Sequence, residues 1–525
     1  MEPPPKDPAQ LCFESVKTRR LIIASYWIVV LLAVPLWWKA TSIDRLSLPT
    51  SRVYAQRGRE LNFPVEVGVE AADASIAQQL QAAIQRDNSV AGGAIDVQLH
   101  VGHKSESAYK IVLDPDVRSP LIQGRNLHVP PTSENGTSII TLQLKNTLLQ
   151  LLAPYNAPSS ESQTQRVMTY SPRYRLAFTL LNEDAASGNA AMAWDVQGAI
   201  QSYIGPLLEK LSDLHNFTIE SQVQFHAPLA FEPRHLEFEG QSVHGLTHED
   251  LTVFINSAEW TLSSSVSNDP VIHFVLFIPS ARNSPLHILD QTGSIHPSNA
   301  FLLPQWGGIV LLNPPRQPSS SPNPISHLST TDLSPVFRTF AHQLLTLLGV
   351  PGLPPHVQSV RRPDGQVQRE PFTDWELDAL LRRRALENVQ SSSETLEAIV
   401  RLVDQIENMP VGQDVVGDVQ DALEALNQAH ESSRLSPVAA LKHSARALTL
   451  ASRAFFNPGM LALLYFPAEH TYAVYTPLFA SVAAPLIGAV LREVMAWKRA
   501  RKAAKSQQQQ SGERQTVEKD VTRVE

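Results

Sequence analysis

Residues 21–38, LIIASYWIVVLLAVPLWW, and residues 471–491, TYAVYTPLFASVAAPLIGAVL, decide the architecture of this chain. Neither stretch carries a charge. At about 1.5 Å of rise per residue the first reaches roughly 27 Å as a helix and the second slightly more, enough to cross the hydrocarbon core of a bilayer. A cleaved secretory signal is the alternative for the first. Its apolar run exceeds the roughly 7–15 residues usual for such a signal, and it ends in Trp37-Trp38-Lys39 rather than in small residues fit for cleavage. An uncleaved anchor fits it better.

The flanking charges orient both spans. Arg492, Lys498, Arg499, Arg501, Lys502 and Lys505 follow the second at once, which places the C-terminal tail in the cytosol. Lys17, Arg19 and Arg20 place the N-terminus there too, less decisively, because Lys39 and Arg45 stand on the far side. The expected organisation is a cytosolic N-terminus (1–20), a first span (21–38), a lumenal α/β domain (39–371), a lumenal helical segment (372–470), a second span (471–491) and a cytosolic tail (492–525). The tail is basic and Gln-rich, a composition expected to stay disordered. Two N-glycosylation sequons, Asn135-Gly136-Thr137 and Asn216-Phe217-Thr218, both fall on the lumenal side of this scheme.

Composition narrows the function. The net charge is −8, and once the two basic ends are set aside the body holds 30 basic against 43 acidic residues. So acidic a body is a poor nucleic-acid binder, which needs a basic footprint. The single cysteine, Cys12, precedes the first span. No disulfide, thiol nucleophile or cysteine-ligated zinc can therefore arise between the spans.

Between the spans the pattern is mixed α/β. Alternation or β-branched enrichment predicts strands at 63–69, 95–101, 109–113, 174–181, 217–226, 271–278 and 308–312. Helical spacing falls at 75–86, 140–152 and 190–214, the last kinked at Pro206, and at 335–348 with Ser334 as its cap. The stretch PRQPSSSPNP (315–324) is a loop by composition. Past residue 372 strands give way to helices. Thr373-Asp374-Trp375-Glu376 is a capping box opening a long helix ended by Pro410 and Gly412; a second runs over 414–430, and a third opens at Ser436-Pro437.

Nothing in the sequence forms a recognised catalytic constellation: no G-x-S-x-G elbow, phosphate loop or H-E-x-x-H helix is present. His244 and His248 are spaced to share a helix face, but Gly245 and Thr247 weaken that helix and no third ligand is marked. His100 and His103 read as solvent-facing, and His248-Glu249-Asp250 as a polar helix start. A carboxylate pair brought together by the fold leaves acid–base hydrolysis formally open. No catalytic, cofactor-binding or metal-ligating residue is assigned. Two features suggest packing instead. Ala480, Ala484 and Gly488 recur every four residues in the second span, where small side chains allow another membrane helix to approach closely. The run FFNPGMLALLYF (455–466) suits a membrane interface or a neighbouring subunit.

At these residues the chain resembles a known family. The first span and its exit SYWIVVLLAVPLWWKATSIDRLSLP, the segment NFTIESQVQFHAPLAF, the stretch PQWGGIVLLNPP, the helix DWELDALLRRRALENV and the block FFNPGMLALLYFPAEHTYAVYTPLF are all similar to PIG-S, a subunit family of the glycosylphosphatidylinositol (GPI) transamidase. The resemblance implies residence in the endoplasmic reticulum membrane. The implied complex removes a C-terminal signal from a precursor protein and joins the new carbonyl to the ethanolamine of a GPI lipid. Its nucleophile, a cysteine paired with a histidine, would sit on a PIG-K-type caspase-like subunit. The other partners implied are PIG-T, GAA-type and PIG-U-type subunits. A non-catalytic, substrate-positioning subunit is thus the leading expectation, against a lumenal carboxylate hydrolase or glycan-processing enzyme, or a generic membrane adaptor.

Overall fold

The computed structural model describes residues 15–41, 45–70, 74–86, 95–102, 109–131, 137–156, 167–238, 240–262, 267–314, 325–360, 372–406, 409–461 and 468–521. Cys12, His103, Asn135 and the loop at 315–324 lie outside them. The chain divides into two compact units: Met1–Thr50, Ala398–Val419 and Arg453–Glu525 form one, Ser51–Glu397 and Gln420–Ser452 the other.

The elements follow in chain order. The first span is helix α1 (Val16–Thr41), and α2 (Thr50–Tyr54) is a single short turn. β1 (Phe63–Glu70), α3 (Ala74–Gln85), β2 (Ile95–Val101), β3 (Tyr109–Leu113), β4 (Leu121–Gln123), β5 (Asn126–Val129) and α4 (Thr137–Leu152) make a first α/β layer pair. A second is built from β6 (Arg173–Asn182), β7 (Ala191–Trp194), helix α5 (joined from Val196–Ala199, Ile200–Ile204 and Gly205–Lys210), β8 (Asn216–Gln224), β9 (Arg234–Phe238), β10 (Gln241–Leu246) and α6 (His248–Thr252). It continues through β11 (Val271–Ile278), β12 (Leu286–Ile288), β13 (Ala300–Leu303), β14 (Gly307–Leu311), β15 (Ile325–Leu328) and α7 (Thr330–Leu347). After β16 (Gln358–Ser359) the elements among the described residues are helices: α8 (Asp374–Gln405), α9 (Gln413–Ser432), α10 (Pro437–Phe455), α11 (Pro458–Leu461) and α12 (Ala468–Val521).

The first sheet has the order β16-β4-β5-β3-β1-β2, with β1 parallel to both neighbours and β4 antiparallel to β5. Phe63, Val65, Val67 and Val69 of β1 alternate inward, as a period of two requires. Val65, Val67 and Val69 share a core with Leu80 and Ile84 of α3, Leu144 and Leu148 of α4, and Trp375 of α8. The second sheet has the order β13-β14-β11-β6-β8, parallel except for β13. The chain runs from β6 outward to β8, then crosses back to β11 on the other side, so the winding reverses at β6/β11. β11 is apolar apart from His273, because both of its faces are covered. Phe274 faces Phe340 of α7 at a centroid distance of 5.3 Å, while Phe277 faces Phe254 at 5.2 Å and Trp260 at 5.8 Å.

Three local readings needed correction. Residues 190–214 do not form one kinked helix: Ala191–Trp194 is strand β7, paired in parallel with β15, and the helix starts only after Asp195, whose carboxylate accepts from Gly198 N. The disturbance from Pro206 is absorbed just upstream as a π-turn over Ile200–Ile204, since proline has no N–H to continue the ladder. Helix α7 is capped not by Ser334 but by Ser329, in a capping box with Asp332, and it carries Pro335 inside. Finally, α12 continues to Val521, so the tail through that residue is helical rather than irregular. Ala, Gln, Lys, Arg and Glu are good helix formers, and extending an existing helix avoids the cost of nucleation.

Candidate membrane and assembly site

Two helices, Lys17–Trp37 within α1 and Ala473–Ser506 within α12, are long and apolar enough to cross a membrane. They pack on each other within one unit. At one end, Arg19 Nε donates to Glu493 Oε1 at 2.6 Å and Arg20 Nε to Oε2 at 3.0 Å. At the other, the Trp37 ring meets Phe479 edge-on at 4.8 Å and Tyr475 at 5.6 Å. Arg19 and Trp37 are about 27 Å apart along an ideal helix, as are Tyr475 and Glu493. The clamps therefore coincide in register only if the helices run antiparallel. Their separation is that of a bilayer core, with charge at one boundary and aromatic rings near the other.

The small-residue face lies elsewhere. At about 100° per residue, Tyr475, Phe479 and Glu493 fall within about 40° of one another, whereas Ala480, Ala484 and Gly488 lie roughly 120–200° round from the centre of that arc. Ala480 and Ala484 are exposed, and a Cβ added at Gly488 would meet nothing within 4 Å. Helix α1 thus occupies the opposite side of α12. Asn216, the sequon residue inside the described chain, is the exposed first residue of β8.

The histidines do not assemble. His244 is in strand β10, where it faces His235 of β9 at a centroid distance of 5.5 Å, and His248 opens α6, so no helix face is shared. Burial, then the His235 ring, holds the His244 imidazole below its usual range. His100 lies in β2. Among the described residues no group of three or more His, Cys, Asp or Glu is placed to hold a metal.

Buried carboxylates are held by structural partners. At the β6/β11 reversal, where doubly wound sheets bind ligands, Glu183 accepts from Ser280 N at 2.7 Å and Asn283 Nδ2 at 2.5 Å, tying the two strand ends together. Glu376 closes the expected capping box, accepting from Thr373 N at 2.8 Å and Thr373 Oγ1 at 2.7 Å. Asp378 accepts from Tyr109 Oη at 2.6 Å and pairs with Arg125 at 2.9 Å. Asp418 pairs with Arg453.

The triplet Arg382-Arg383-Arg384 had no role assigned from sequence. Arg382 Nη2 donates to Leu152 O, the carbonyl end of α4, at 3.3 Å. Arg384 Nη2 donates to Leu348 O, just past α7, at 2.9 Å, and to Met168 O at 3.1 Å. One helix thus caps the C-termini of two others, one from each α/β layer pair, where cations are favoured. Arg45 does the same for α8, donating to Val403 O at 2.7 Å and Ile406 O at 3.1 Å. The available signal was that Arg382 and Arg384 fall among positions otherwise spaced for burial.

Comparison with known proteins agrees with this plan. The family "Phosphatidylinositol-glycan biosynthesis class S protein" matches residues 24–500. A rat protein named GPI-anchor transamidase component PIGS is 28% identical over 538 residues, covering 90% of this chain and 94% of the relative. The human protein of that name is 28% identical over 542 residues with the same coverage. A GPI transamidase component PIG-S homolog from Schizosaccharomyces pombe is 28% identical over 519 residues, covering 92% and 85%. The matched region runs from within the first span through residue 500, and this chain belongs to the PIG-S family.

Proposed function

We propose that this chain is a non-catalytic subunit of a GPI transamidase, anchored at both ends in the endoplasmic reticulum membrane with residues 39–470 in the lumen. The observation that carries the reading is the family match across residues 24–500, span to span. The chemistry of the chain agrees with it. The one cysteine, Cys12, stands before the first span, so it is on the cytosolic side and unavailable as a lumenal nucleophile. The buried carboxylates serve caps and ion pairs, which leaves little for acid–base hydrolysis. The subunit contributes by positioning precursor tail and GPI lipid against a nucleophile carried by a PIG-K-type caspase-like partner. PIG-T, GAA-type and PIG-U-type subunits complete the assembly.

Within this reading the Ala480/Ala484/Gly488 face is the seam for a partner's membrane helix, Asn216 and Asn135 are lumenal glycan acceptors, and the antiparallel hairpin keeps both termini on one side. Depletion of the protein tests the role. Precursors should accumulate with uncleaved C-terminal signals and GPI-anchored proteins should leave the cell surface; normal surface levels would overturn it.

A further inference from the structure

Among the described residues β8 is the outermost strand of the second sheet, hydrogen-bonded to β6 on one side only. Its 9 residues make it long for an edge. The free N–H and C=O groups of such an edge are a template for pairing with another chain, and native sheets blunt them with charge, proline, bulges or cover. The C-terminal part of β8 is covered. Gln222 Nε2 and Gln224 Nε2 both donate to Thr261 O, at 3.0 and 2.5 Å, so the segment after α6 lies alongside. Among the described residues the N-terminal part has no such device. Phe217, Thr218 and Ile219 bring neither charge nor proline, and Ile219 remains 42% exposed. The nearest charge on β8 itself, Glu220, is paired with Arg175 at 3.5 Å. This bare half of the edge opens on the sequon Asn216-Phe217-Thr218, with Asn216 and Thr218 both exposed.

We propose that an N-linked glycan on Asn216 guards this edge. A bulky, hydrated oligosaccharide at the first residue of β8 denies the backbone of residues 216–221 to any other strand, while Thr261 and its neighbours deny the rest. The glycan then replaces the charge that a protein confined to the cytosol would have to place there. The proposal rests on the lumenal placement of this domain.

The test uses the full chain purified in mild detergent. Glycosidase digestion and mass spectrometry read occupancy at Asn216, and size-exclusion chromatography with light scattering reads self-association. Asn216→Gln and Thr218→Ala should each lose the glycan and shift the chain several-fold towards multimers. Thr218→Glu also destroys the sequon, but it sets a carboxylate on the bare edge opposite Arg175, its register partner, and should stay as dispersed as the wild type. Folded wild-type protein trimmed with an endoglycosidase should multimerise on standing, which removes any dependence on folding in the cell. An unoccupied Asn216 sinks the guard at its foundation and counts against the lumenal placement. Occupancy with Asn216→Gln and the trimmed protein both fully dispersed overturns the guard alone. So does a Thr218→Glu chain that multimerises like Thr218→Ala, because then charge cannot stand in for the glycan.

Discussion

Single side chains decide how the two α/β layer pairs are held to α8. Arg384 is buried and satisfies two carbonyls from the second layer pair, whereas Arg383, one residue away, is half-exposed and binds Glu387 of its own helix at 2.6 Å. Arg384→Met leaves the Leu348 and Met168 carbonyls without that donor, and should cost on the order of 3 kcal/mol. Arg383→Met should cost no more than about 1 kcal/mol. Thermal unfolding of the two variants side by side checks the contrast, and equal losses would mean that Arg384 is no clamp. Two buried histidines make a second prediction. Burial holds the pKa of His215 at about 4, and that of His273 likewise at about 4, with the Arg175 charge adding to the effect. Both rings are therefore neutral in the fold where the unfolded chain would protonate them. As pH falls below about 6.5 the unfolded state takes up protons that the folded state refuses. Stability should drop progressively down to pH about 4, by up to about 1.4 kcal/mol per pH unit for each ring. A melting temperature that does not fall over that window would contradict this, and His215→Gln should flatten the slope.

At the scale of elements, what could be read from the sequence was whatever carries its cause locally. β2, β3 and β11 begin and end where alternation and β-branching put them, and Thr373/Glu376 cap α8 as their spacing required. The misses have two causes. Asp195 and Ser329 are caps that were legible, the latter by Asp332 three residues on, but the first helix was run through Asp195 back to residue 190 and Pro335 drew the start of the second to itself. Strand β7 depends on pairing with β15, more than 130 residues away, and nothing local specifies it. The Ala480/Ala484/Gly488 spacing was legible as a small-residue face. That it points away from α1 was not, because that depends on Arg19, Arg20 and Trp37 choosing the other side of α12. The prediction is correspondingly specific. Ala484→Leu with Gly488→Leu should abolish co-purification of membrane subunits while leaving expression and the α1–α12 hairpin intact. Charge reversal at Glu493 should loosen the hairpin instead, and Arg19→Glu with Arg20→Glu should restore it. Disulfide cross-linking between introduced cysteines near Trp37 and Phe479 reads the hairpin; loss of cross-linking in the double Leu variant would show that the two faces are not independent.

For the whole molecule, the account is of an acidic body between two candidate spans whose outer ends carry the basic charge, with its one cysteine before the first span and the buried acids of the described residues committed to structure. Such a chain can hold a reaction without performing it. The most direct test of that claim is purification of the tagged full-length chain from mild detergent, with identification and quantification of what accompanies it. The account predicts a caspase-like subunit in stoichiometric amount, with transamidase activity that disappears when that partner's cysteine is changed and survives Cys12→Ser in this chain. A preparation active without any such partner would contradict it.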